Sequence, residues 1–273
     1  MVGELMTQQF DSHDSGHDVG PKQQREALLA DISALTAMPF PNLVYRVLAD
    51  EPGRLESCWY RVRAGLVLVG ARRLRERLAD SWLTSARSPE PQEFVSDERR
   101  RRLTDVLDAY DSGNSCNAVI VTLLLHGSRG EAESRLVQPL PVEVPSVPRP
   151  LPPMLELDEM TGATREQVVR LARMVDPKGD VVPSVFRHLA HDDVLVDTAV
   201  ATLRAAFLSG AFDRLCDEII STVATTITEW PVPVDPLTDS GTRALIEPFA
   251  RAIPRMLAVS AVLRSLNWNP TDS

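Results

Sequence analysis

Apolar side chains recur along this chain with the period of a helix. Leu28, Leu29, Ile32 and Leu35 fall at i, i+1, i+4 and i+7 before Pro39 ends the segment, and Leu103, Val106, Leu107 and Tyr110 continue the theme. Further on, Val168, Leu171, Ala172 and Val175 share one face, preceded by Thr164 and Gln167 at the spacing of a capping box. No run of alternating strands joined by two-residue turns occurs in the sequence. The pattern predicts an all-α protein. One polar interruption stands out. Ser112, Gly113, Asn114 and Ser115 lie between two apolar runs, which predicts a broken or kinked helix with polar groups left inside the packing. The plainer reading is a turn between helices, capped by Asn114.

Prolines crowd into QPLPVEVPSVPRPLPP, residues 138–153, where missing N–H groups and fixed φ exclude a helix interior or a central strand. This stretch predicts an extended, semi-rigid linker over 137–153. It divides a helical unit over 23–136 from a second over 154–268, with tails at 1–22 and 269–273. The two units resemble each other. PNLVYRVLA (Pro41 to Ala49) returns as PSVFRHLA (Pro183 to Ala190), and Arg46, Leu48 and Ala49 match Arg187, Leu189 and Ala190 at a constant offset. The same offset pairs Arg63 with Arg204, and Arg73-Leu74 with Arg214-Leu215. The expected architecture is a duplicated helical unit, two repeats packed as an intramolecular pseudo-dimer. A small-molecule pocket belongs at the seam between them, so its residues should come from both halves.

Composition narrows the function. Asp and Glu number 38 against 29 Lys and Arg, a formal charge of −9, so a phosphate backbone is a poor partner. With Phe 7, Trp 4 and Tyr 3, the chain also lacks a row of base-stacking rings. No nucleic-acid partner is expected. Cys58, Cys116 and Cys216 fit neither a disulfide framework nor a zinc pattern and suit a reducing compartment. The amino-terminal residues are polar, without the apolar core of a signal peptide. The longest apolar run, Ala118 to Leu125, falls short of the roughly 20 residues of a membrane span. A soluble cytoplasmic protein is expected, with no membrane partner.

His188, His191 and Asp192 have a spacing that could hold a metal, but no further ligand cluster supports it, and capping or surface roles are the expectation. The arginine runs Arg72 to Arg77 and Glu98 to Arg102 are mixed with or flanked by acids and predict solvated helix faces. Nucleotide-binding loops and the G-x-S-x-G nucleophile elbow are missing from the sequence. Neither a cofactor nor a metal is expected.

Three segments, MPFPNLVYRVLADEPGRLESCW (Met38 to Trp59), LDAYDSGN (Leu107 to Asn114) and VPSVFRHLA (Val182 to Ala190), together resemble the group I 2-haloacid dehalogenases, the DehI family. The resemblance runs from about Glu26 to Leu266. It implies an all-α pseudo-dimer that pairs again as a homodimer, with an active site between the repeats. It also implies hydrolytic displacement of halide from C2 of a short 2-haloalkanoic acid. In that chemistry a carboxylate activates a water that attacks carbon directly, without a covalent ester. By the same resemblance Asn114 orients the water, while Phe40, Leu43, Ser184 and Phe249 line the substrate pocket. The family's catalytic aspartate falls on Val185, which accepts no proton. Asp111, three residues before Asn114, is the nearest substitute base. The expectation is therefore a dehalogenase-like protein with little or no turnover. Its alternative is a non-catalytic protein on the same fold that binds a small acid or acts as an interaction scaffold.

Overall fold

The computed structural model describes residues 20–83, 96–131, 135–137, 151–176 and 182–267. Most of the proline-rich linker, residues 138–150, and the tail residues 1–19 and 268–273 lie outside the described residues. Ten α-helices are formed among the described residues, with no strand beyond one isolated bridge between Ser128 and Val234. The fold is all-α, as the apolar period predicts.

The helices fall into two series. The first comprises α1 (Pro21–Thr36), α2 (Leu43–Leu48), α3 (Arg54–Val69), α4 (Ala71–Leu83) and α5 (Asp97–His126), with 16, 6, 16, 13 and 30 residues. The second comprises α6 (Gly162–Val175), α7 (Ser184–Leu189), α8 (Asp193–Leu208), α9 (Ala211–Thr228) and α10 (Ser240–Arg264), with 14, 6, 16, 18 and 25. Long, short and long elements recur in the same order. Each series also reaches into the other: α7 packs on α5, and α2 packs on α10.

The centre of the molecule is made by α5 and α10, flanked by α4 and α9, which also touch each other. Most of α5 from Leu103 to Leu125 is buried, so it carries apolar residues on nearly every side instead of one stripe. Around it, Trp59, Trp230, Phe186 and Phe212 are fully buried. Among the described residues no single helix is long and apolar enough to cross a membrane.

The structure corrects two local expectations. Ser112 to Ser115 form neither a turn nor an interruption, since α5 runs unbroken for 30 residues through them. Glycine, serine and asparagine are weak helix formers alone, but packing of α5 against its neighbours on all sides overrides that preference. A Cβ at Gly113 would meet the flexible end of the Met38 side chain, which would have to shift. Second, α6 starts one turn before the expected box. Its N-cap is Thr161, whose side chain accepts from the Thr164 backbone N–H, and the Thr164 hydroxyl reaches Asp193 on α8. At the other end of the chain, α1 begins at Pro21, inside the stretch expected to be tail. Proline at the first helical position has φ already set for a helix.

Candidate functional site

At 3.6 residues per turn, Tyr110, Gly113, Asn114 and Asn117 form one stripe along α5, and Asp108, Asp111 and Ser115 form another. The second stripe is bound by cations. Arg264 of α10 donates to Asp111 Oδ2 at 2.6 and 2.9 Å and to Asp108 Oδ1 at 2.8 Å, while Arg75 of α4 reaches Asp108 at 2.5 Å. Asp111 is 1% exposed, and burial pushes its carboxyl above the ordinary range against the pull of Arg264 and the Ser260 hydroxyl. This network ties α4, α5 and α10 together.

The first stripe faces the loop between α1 and α2, together with α2 and α7. Tyr110 Oη and His188 Nδ1 are 2.6 Å apart, and His188 Nε2 lies 3.1 Å from the Pro152 carbonyl. A carbonyl can only accept, so the Pro152 contact favours the tautomer with the proton on Nε2 and Nδ1 turned to Tyr110, while the ring also meets the Ser184 backbone. Burial lowers the pKa of His188, favouring this neutral form, and raises that of the Tyr110 phenol, which keeps its proton. The Ser184 hydroxyl bonds Tyr110 as well. Phe40 closes the cluster, edge-on to Tyr110 with centroids 5.8 Å apart and stacked on His188 at 6.4 Å. The charges acting on Tyr110 are those of Arg187 and Arg46. Arg187 is itself paired with Glu156, and Arg46 is exposed.

The structure therefore brings Phe40 and Ser184 together on Tyr110. Asn114 is half-buried on the same stripe, and its amide makes no hydrogen bond among the described residues. Val185 is 3% exposed and packed in the apolar core. Asp111 belongs to the Arg264 network on the other stripe. Leu43 opens α2 with 40% exposure, and Phe249 is partly buried on α10; these are the elements of the other cross-contact, between α2 and α10. Sequence reasoning missed Tyr110, His188 and Asn117. Treating residues 106–125 as one helix would have aligned Tyr110 and Asn117 with Asn114, four and three residues away.

His188 and His191 contact the Pro152 and Pro153 carbonyls, and Arg187 donates to the Leu155 carbonyl at 2.8 Å. These side chains of α7 and of the turn after it hold the end of the proline-rich segment beside the cluster. Among the described residues no group of His, Cys, Asp and Glu could hold a metal ion. An open concavity of about 700 Å³ along α6, lined by Arg165, Glu166, Arg170 and Arg173 among others, contains none of the candidate residues.

No family model and no curated protein matches the sequence. Solved structures do match. A mutant D-2-haloacid dehalogenase shares 15% identity over 90% of this chain and 91% of its own, with a TM-score of 0.73. A mutant of D-2-haloacid dehalogenase in complex with D-2-CPA gives 15% identity, the same coverages and a TM-score of 0.74. D-2-haloacid dehalogenase in complex with L-LA gives 15% identity, 90% and 92% coverage and a TM-score of 0.71. Over nearly its whole described length, this chain has the fold of the D-2-haloacid dehalogenases.

Proposed function

We propose that the cluster between α5, α7 and the α1–α2 loop binds a short 2-substituted carboxylic acid, and that the protein is dehalogenase-like with little or no hydrolytic turnover. The two helix series act as repeats of one pseudo-dimer, the acid sits at their seam, and two chains pair as a homodimer. The order of helix lengths and the reciprocal α7–α5 and α2–α10 packing support the repeat reading. The D-2-CPA and L-LA complexes of structures with this fold support the ligand class.

One observation carries the low-turnover reading: every candidate base is apolar, already engaged or on the other side of α5. Hydrolysis at C2 needs a C–O bond to form from water as the C–X bond breaks. The halide leaves with the electron pair, and a base takes the water's proton. Val185 has no lone pair to offer. Asp111 is held through Oδ2 by Arg264, and its other oxygen lies on the same, opposite stripe. His188 has one nitrogen engaged by Tyr110 and the other by the Pro152 carbonyl. Losing a general base lowers a rate by about 10²- to 10⁴-fold. Phe40, Ser184 and Asn114 can still receive and orient an acid.

Halide release from D- and L-2-chloropropionate by the wild type and by Val185→Asp tests this reading. The expected result is no release above the uncatalysed rate from the wild type and a measurable gain with Val185→Asp. Brisk release by the wild type that Asn114→Ala abolishes would overturn it in favour of an active dehalogenase.

A further inference from the structure

We infer that Asn117 is a second anion-binding amide of this site, forming with Asn114 a two-amide cradle for a carboxylate oxygen or a halide, and that Tyr45 is its positioning residue. The inference rests on the small-acid reading above and adds a residue to which neither the sequence motifs nor the fold assigns a role.

Asn117 follows Asn114 by three residues on the stripe that carries Tyr110, and is 1% exposed. Tyr45 of α2 donates its phenol proton to Asn117 Oδ1 at 2.5 Å. Burial holds the Tyr45 phenol well above its ordinary pKa, so the proton stays, and Oδ1 is the acceptor that satisfies it. With the carbonyl end turned to Tyr45, the amide NH₂ must point elsewhere. Its Nδ2 is buried with no hydrogen-bond partner among the described residues. Buried donors are nearly always satisfied in folded proteins, so an orphaned one on the candidate stripe points to a missing acceptor.

The surroundings determine what kind of acceptor. Three residues away on the same stripe, the Asn114 amide has no partner among the described residues; Arg46 and Arg187 act on Tyr110, Arg187 being paired with Glu156. N–H donors bind an anion more strongly than a neutral acceptor. A short carboxylate or the halogen end of a 2-haloacid has that chemistry. Ser115 Oγ and Asp111 Oδ1 are also unpartnered, but they lie on the Arg264 side of the helix and do not join the cradle.

Isothermal titration of the full chain with propionate, D-2-chloropropionate and bromide tests the inference, using wild type, Asn117→Asp and Tyr45→Phe. Asn117→Asp still accepts from Tyr45 but exchanges the NH₂ donors for an oxygen. It should weaken the bound anion by about tenfold or more, the effect of losing one hydrogen bond to a charged group. Loss of propionate binding assigns the cradle to the carboxylate. Loss of bromide binding with propionate retained assigns it to the halide. Tyr45→Phe should weaken the same ligand less, because it frees the amide to rotate without removing it. In ¹⁵N-labelled wild type the Asn117 side-chain amide resonance should shift as that ligand saturates, a readout that needs no variant to fold. An unshifted Asn117 amide during saturable binding overturns the inference, as does a folded Asn117→Asp with unchanged affinities. If Asn114→Ala and Ser184→Ala still weaken binding in that case, the small-acid pocket stands and only Asn117 falls. If the wild type binds none of the three probes, both readings fall.

Discussion

The two polar stripes of α5 share a helix and a buried environment but treat their polar groups differently. On one, Asp108 and Asp111 meet Arg75 and Arg264, so buried charge is matched by opposite charge from neighbouring helices. On the other, Tyr110 is bound to His188, while the Asn114 amide and the Asn117 NH₂ have no partner among the described residues. Neutral amides tolerate such incompleteness far better than charges do. The charged stripe ties α4, α5 and α10 together, and the amide stripe keeps donors without a partner among the described residues. Asp111 therefore makes a better strut than base, although it stands only three residues from Asn114.

The sharpest way to break this contrast is to remove Arg264. Arg264→Met leaves Asp111 buried without its counter-charge and should destabilise the protein by about 3–5 kcal/mol in urea unfolding. The deficit should have a distinctive pH dependence. Asp111 already has a folded-state pKa above its ordinary value of 3.8, and losing Arg264 removes a lowering influence and raises it further. A carboxyl whose pKa is raised on folding costs stability above its unfolded value, so acidifying the variant toward that value should recover much of the loss. An equal deficit at neutral and acid pH would show that the network carries no charge of consequence.

A smaller effect is expected at Gly113, which belongs to the amide stripe but serves packing. Gly113→Ala puts a Cβ where the buried Met38 side chain lies, two residues before Phe40. Overpacking of this kind costs about 1–3 kcal/mol, and it should also loosen the Phe40 contact with Tyr110. Thermal unfolding measures the first consequence, and the affinity for 2-chloropropionate the second.

The smallest stability change should come from Asn114→Ala. Its amide has no protein partner to lose among the described residues, so unfolding should change by no more than about 0.5 kcal/mol while acid binding falls. A large loss of stability would place Asn114 with the structural stripe instead.

Much of the fold was legible in the chain because helix periodicity is a short-range property. Leu28 to Leu35 and Val168 to Val175 announce α1 and α6 through contacts within a few residues. The proline at 39 ends a segment for equally local reasons. Phe40 and Ser184 were also within reach as candidate pocket residues, and the structure brings both to Tyr110. The continuity of α5 was not legible. Ser112, Gly113 and Asn114 disfavour a helix locally, and only burial of α5 among its neighbours reverses the balance. The same non-local cause hid His188, whose H-x-x-H spacing with His191 suggested a surface or capping role. In the structure its nitrogens bind Tyr110 from the other half and a proline carbonyl of the central segment.

By itself, then, the sequence determined the helical class, the repeated order of short motifs and the valine at position 185, all of which depend on residue type and near neighbours. Only the tertiary structure decided which polar groups are spent and which are free. The Asp111–Arg264 and Tyr45–Asn117 bonds join residues 153 and 72 positions apart. Whether a buried polar atom finds a partner is settled by which helices pack together, and no local pattern encodes that.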